Sequence, residues 1–117
     1  MPAVHVNVTA PHRHQRHRPR AAVTVRTLAT GSVLVSVEGE LDAHNAGELT
    51  DTARRATETA ASLVIDLSRT SFVGTELFHA LSAIDRSAAG HHTSWVLIPG
   101  TAASRVLRLC AGHRAGD

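Results

Sequence analysis

An α/β domain with a mixed four-stranded sheet and about three helices is the fold class this sequence predicts, in the element order β-β-α-β-α-β-α. Three observations predict it. Short apolar runs of strand length recur between longer segments whose apolar residues repeat every three to four positions. After an opening hairpin the two kinds of segment take turns along the chain, the pattern of helices crossing over a sheet. The length of 117 residues is enough for one core of modest size and too short for two.

The elements follow in order. Residues 1–20 hold His5, His12, His14 and His17, three prolines and Arg13, Arg16, Arg18 and Arg20, with no acidic side chain and no sustained periodicity. They read as a disordered basic arm. From Ala22 the pattern changes: Val23-Thr24-Val25-Arg26 alternates, Thr30-Gly31-Ser32 makes a turn, and Val33, Val35 and Val37 alternate again, which predicts a β-hairpin. Gly39-Glu40-Leu41-Asp42 is expected to break the second strand. Asn45 and Glu48 then stand three apart, the spacing of a capping box, so a helix is predicted to start there. Its apolar stripe is Ala46, Leu49, Ala53, Ala56 and Ala60.

Leu63-Val64-Ile65 predicts a central strand ending at Asp66, followed by a polar turn. Leu77, Leu81, Ile84 and Ala88 mark a second amphipathic helix that stops at Gly90. Trp95-Val96-Leu97-Ile98 reads as the last strand, closed by Pro99-Gly100. Thr101 is expected to cap a third helix whose inner side is Ala103, Val106, Leu107 and Cys110 and whose stop is Gly112. The expected organisation is an arm over 1–20, one domain over 21–113 and a short tail over 114–117, with right-handed crossovers.

Composition narrows the function. Hydrophobic residues are 43% of the chain and aromatic residues 3%, confined to Phe72, Phe78 and Trp95, so the core must be built from small aliphatic groups. All twelve basic side chains are Arg, and with abundant Ala this is the coding habit of a GC-rich bacterial genome. A single cysteine excludes an internal disulfide and fits a reducing cytoplasm. No run reaches the roughly 20 apolar residues of a membrane span, and no secretory leader pattern opens the chain. The chain has no lysine for a P-loop and no strand-glycine-rich turn-helix fingerprint. Adjacent His91 and His92 and the isolated His44, His79 and His113 form no metal signature. Catalysis is not expected, and neither is a cofactor or a metal.

Three segments in order carry a family resemblance: Val35-Ser36-Val37-Glu38-Gly39-Glu40-Leu41-Asp42, then Leu63-Val64-Ile65-Asp66-Leu67-Ser68, then Phe72-Val73-Gly74-Thr75-Glu76-Leu77-Phe78-His79-Ala80-Leu81. They resemble the "GELD" loop, the "V-x-D-L-S" strand and the "F-x-D-S-S-G-L-x-x-L" segment of the STAS domain, the anti-sigma factor antagonist family. Ile98-Pro99 and the helix with Arg105-Val106-Leu107 resemble its last strand and helix, so the likeness runs from about Val23 to Gly112. It implies a non-enzymatic module that binds an anti-sigma factor doubling as a serine/threonine kinase, with ATP held by that partner and sigma-factor release as the output. By position the phosphorylation candidate is Thr75. The third segment departs from the pattern: Gly74 stands for the usual Asp, Thr75 for the phosphorylated Ser, Glu76 for the next Ser and Leu77 for the Gly.

The candidate partner surface is Gly39, Glu40, Asp42, His44, Asn45, Gly74, Glu76 and Phe78, around Thr75. Thr75 is predicted at a helix N-terminus, where free amides and the macrodipole favour an anion. Phosphorylation there would add about two negative charges, and a partner packed on that end would be repelled. The plainer reading makes Thr75 a cap and Glu76 a complement to the dipole. Likewise Gly39–Asp42 is either partner surface or a strand-to-helix connection, and Asp66 either a charge near the switch or a hydrogen-bonded strand end.

Two further readings stay open. One is a divergent, unphosphorylated STAS scaffold or ligand-binding component of a signalling assembly. The other is weak, unselective nucleic-acid contact through the basic arm, which lacks aromatic stacking residues. The arm histidines could also collect a transition metal adventitiously. An exposed sheet edge left by the short C-terminus would be covered by homodimerisation.

Overall fold

The computed structural model describes residues 22–28 and 31–115. The arm over 1–20, with its metal and nucleic-acid readings, Thr30, the side chains of Cys110 and His113 and residues 116–117 lie outside the described residues. Four strands and three helices follow one another as β1 (Ala22–Thr27), β2 (Ser32–Leu41), α1 (Ala46–Thr57), β3 (Ser62–Val73), α2 (Glu76–Gly90), β4 (Ser94–Ile98) and α3 (Gly100–Ala115). The sheet order is β1-β2-β3-β4, with β1 antiparallel to β2 and the other two pairings parallel. This is the predicted α/β layout. The parallel pairs need helical crossovers, which α1 and α2 supply.

Alternation decides which side of the sheet is covered. Val23, Val33, Val35, Val37, Leu63, Ile65 and Leu67 are buried and join Leu49, Ala53, Leu77, Ile84 and Ala103 in one core. Trp95 and Leu97 pack against it half-buried, so the fully buried interior is aliphatic, as the scarcity of aromatic residues implies. Each of its Leu, Ile and Val side chains contributes about 1.5–3 kcal/mol by leaving water. Along the opposite face, Leu34 and Val64 are half-buried while Val96 and Ile98 are exposed.

Five expectations are corrected. The second strand does not break at Gly39 but continues to Leu41, with Gly39 at φ 101 where the register slips. The third strand does not end at Asp66 but runs on to Val73, because two bulges each give β3 one residue more than β2: Ser36↔Asp66 is followed by Glu38↔Arg69, and Gly39↔Thr70 by Glu40↔Phe72. At the first bulge Ser68 N–H donates to Asp66 Oδ1 at 2.9 Å and Thr70 Oγ1 donates to Leu67 O at 2.7 Å, so polar side chains satisfy the displaced backbone. The polar run that imitates a turn is therefore the strand's own bulge.

The third helix starts at Gly100, which puts Thr101 inside its first turn, and it passes through Gly112. Gly100 has φ +73 and sits where a Cβ would lie 2.5 Å from Ser68 Cα, so it is the residue that lets the helix start close against the bulge. Asn45 does precede α1, yet it makes no cap bond from its side chain. Among the described residues no helix is long and apolar enough to cross a membrane.

Candidate functional site

The site is built where β2 and β3 end side by side. Leu41 pairs with Val73, and Gly74 N–H donates to Leu41 O at 2.9 Å, which ties the start of α2 to the loop that leads into α1. That loop is held by its own polar groups. Asp42 O accepts from the N–H groups of Asn45 and Ala46 at 3.2 and 2.9 Å. His44 N–H donates to Asp42 Oδ1 at 3.0 Å, and Asp42 N–H donates to Asn45 Oδ1 at 2.9 Å. Asn45 Nδ2 reaches back to donate to Glu40 O at 2.8 Å. Asn45 thus uses both ends of its amide to brace residues 40–42 and makes no cap bond to α1.

On the other side, Thr75 precedes α2 at φ −70 and ψ −12, exposed, with no helix amide donating to its hydroxyl oxygen. The first turn closes tightly, Leu77 N–H on Gly74 O at 3.2 Å and Phe78 N–H on Thr75 O at 3.1 Å. The expected hydroxyl cap is not formed, and Thr75 Oγ1 stands free of the helix end. Glu76 occupies the first turn, where a carboxylate complements the helix dipole. Its side chain folds back over Gly74: a Cβ built on Gly74 would meet Glu76 Oε1 at 2.5 Å and Phe72 Cε2 at 3.7 Å.

Asp42, His44, Gly74, Thr75 and Glu76, five of the nine candidates, line one shallow, open depression together with Phe72. The His44 ring stands 3.9 Å from Asp42 Oδ1 and is 94% exposed, so it sits on the rim without a fixed bond. Glu40 lies one strand over from Phe72 in the register and Gly39 beside Thr70. Asn45 works behind the loop, and Phe78 is half-buried outside the depression. Asp66, inside β3, is committed to the bulge.

Sequence reasoning missed Phe72 as a site residue. It is 51% exposed, although an aromatic next to a strand suggests core. The available signal was parity: with Val73 facing inward, its neighbour in an extended strand must face out.

Elsewhere, His91 Nδ1 lies 3.0 Å from Ser87 O and 3.4 Å from Thr57 Oγ1, tying the ends of α1 and α2 together. Among the described residues no group of three or more His, Cys, Asp or Glu side chains could hold a metal ion.

Comparison with known proteins agrees with this architecture. The STAS domain model matches residues 21–107. An anti-sigma factor antagonist from Mycobacterium paratuberculosis is similar at 26% identity and TM-score 0.66, over 82% of each chain. The unphosphorylated form of the anti-sigma factor antagonist SpoIIAA is similar at 16% identity and TM-score 0.65, over 77% of this chain and 81% of that one. The phosphorylated form of SpoIIAA, the Bacillus cell fate determinant, is similar at 16% identity and TM-score 0.62, over 78% and 84%. The comparison with curated proteins gave no match. A family model spanning most of the sequence, on a four-stranded sheet with the same element order, makes the chain a member of the STAS domain family.

Proposed function

We propose that this STAS domain is an anti-sigma factor antagonist-like switch that binds an anti-sigma factor with serine/threonine kinase activity and is released by phosphorylation at Thr75. The partner holds ATP and transfers its γ-phosphoryl group to Thr75 Oγ1, leaving ADP; this chain supplies the acceptor and the docking surface and performs no catalysis. Such a role belongs to transcription control in a bacterial cytoplasm. The observation that carries the reading is the junction of Gly74 with Leu41, which sets an exposed, uncommitted hydroxyl beside the Asp42–His44 loop at a helix N-terminus. A phosphate there meets the positive end of its own helix dipole and repels a packed partner.

The test is the intact mass and peptide map of the protein isolated from its own host, with capture of its associated kinase. One phosphoryl group on Thr75, and a captured kinase that Thr75→Asp no longer binds, are the expected results. A kinase association indifferent to both Thr75→Ala and Thr75→Asp would refute the switch.

A second reading, the unphosphorylated scaffold, is favoured by one feature. Glu76 already lays a carboxylate across Gly74, so the helix end is anionic before any modification. Under that reading the isolated protein carries no phosphate and its partner never labels it.

A further inference from the structure

Two chemically different groups converge on one point above Gly74. A Cβ built there would meet Glu76 Oε1 at 2.5 Å and the edge of the Phe72 ring at 3.7 Å, so the carboxylate takes the place of a Gly74 side chain with the aromatic ring beside it. Only a residue without a side chain leaves that space to them. Phe72 is half out of the sheet at 51% exposure, and the rim adds Asp42, whose side chain is 38% exposed. The arginine nearest in sequence, Arg69, is committed elsewhere, 3.2 Å from Glu38 Oε2 across the β2–β3 pair.

We infer that the Phe72–Glu76 corner over Gly74 is a docking point for an arginine side chain of the protein partner. A guanidinium is flat, so it can lie on the Phe72 ring and present its fork of N–H donors to the Glu76 carboxylate at the same time. An ammonium group can take the charge but cannot lie flat on the ring with the same fork of donors. The Asp42 and Glu76 carboxylates disfavour a phosphate-bearing occupant such as nucleic acid. The inference rests on the proposed function for the nature of the partner and adds the feature on that partner which this surface reads.

The geometry also assigns Glu76 a role in place of a passive dipole complement. Glu76 supplies the attraction for the guanidinium.

The test is an NMR titration of the full-length protein with the blocked pentapeptide Gly-Leu-Arg-Leu-Gly and with its lysine and citrulline counterparts. Expected are shifts confined to residues 42–44 and 72–78 with the arginine peptide, about threefold to fivefold weaker binding with lysine, the size of an exposed cation–π contact, and no binding with the neutral citrulline. Phe72→Leu and Glu76→Gln should each weaken the arginine peptide by a similar factor, with the remaining spectrum unchanged as the check on folding. Equal binding of arginine and citrulline peptides, shifts elsewhere, or no localised shift at millimolar arginine peptide would overturn the inference. Its failure is separable from failure of the switch: a host kinase that binds Glu76→Gln as well as wild type sinks the arginine corner and leaves the switch standing. Arginine-selective binding without any captured kinase does the reverse.

Discussion

Gly100 and Gly31 differ in surroundings and share a backbone conformation, so the same substitution at both separates strain from crowding. Their φ angles are +73 and +80, so alanine at either position pays the left-handed penalty of about 1–2 kcal/mol. At Gly31 the new Cβ meets, among the described residues, Ala61 Cβ at 3.7 Å, an ordinary contact. At Gly100 it would lie 2.5 Å from Ser68 Cα, 3.1 Å from Leu67 O and 3.3 Å from Ser68 C, all of them backbone atoms of the β3 bulge that cannot swing aside. Pushing α3 off that bulge adds the about 1–3 kcal/mol typical of overpacking. Gly31→Ala should therefore cost about 1–2 kcal/mol by its backbone penalty alone, and Gly100→Ala about 2–5 kcal/mol with both terms. The second value is a large share of the about 5–15 kcal/mol that holds a domain together. Urea melts read both, as a fall in midpoint at unchanged slope. Equal losses at the two glycines would refute the close approach of α3 to Ser68.

The remaining expectations concern the loop, the core and the buried polar joint. Asn45→Ala should cost about 1–2 kcal/mol by removing two side-chain hydrogen bonds, while Glu48→Ala stays within about 0.5 kcal/mol because no capping box is formed; paired melts distinguish them. Leu77→Ala, at a fully buried position of α2, should cost about 2–5 kcal/mol, whereas Phe72→Ala should lie within about 1 kcal/mol, its exposed ring contributing to binding more than to folding. Thr93→Val removes the buried hydroxyl that reaches Thr57 O at 3.1 Å and Ala60 O at 2.9 Å, and should cost about 1–3 kcal/mol in the same assay.

Much of the sheet was legible because burial on one face imposes alternation. Val33, Val35 and Val37 announce β2 by alternation, while β3 is announced by the uninterrupted apolar run Leu63-Val64-Ile65. The helical stripes were legible for the same reason at a different period, although Thr52 and Thr57 replace apolar residues inside α1. What stayed hidden is where one backbone compensates another. Ser68-Arg69-Thr70 looks like a turn because its polar side chains serve the bulge and the Arg69–Glu38 pair, a role that depends on β2 lying alongside. Asn45 was read as a cap because local spacing allows it, yet Glu40 O and Asp42 N–H compete for the same amide and win. Asp42, His44 and Thr75 could be grouped only through the resemblance. Sequence distance says nothing of the Gly74–Leu41 hydrogen bond that joins them.

That hydrogen bond bears on how the site can respond to charge. The loop's polar groups are bound to one another, and Gly74 is fixed to Leu41, so neither side of the depression needs a partner to hold its shape. Thr75 Oγ1, by contrast, makes no cap bond, and modifying it breaks nothing. Two like charges 4 Å apart in water repel by only about 1 kcal/mol, so a phosphate next to Glu76 is too weak a perturbation to unfold a domain of ordinary stability. The same repulsion acts on an interface whose charged groups lose water on contact, where screening is poorer and each unpaired charge costs more. A surface arranged in this way changes its affinity while the fold beneath it stays as it is, which is what a switch read by another protein requires.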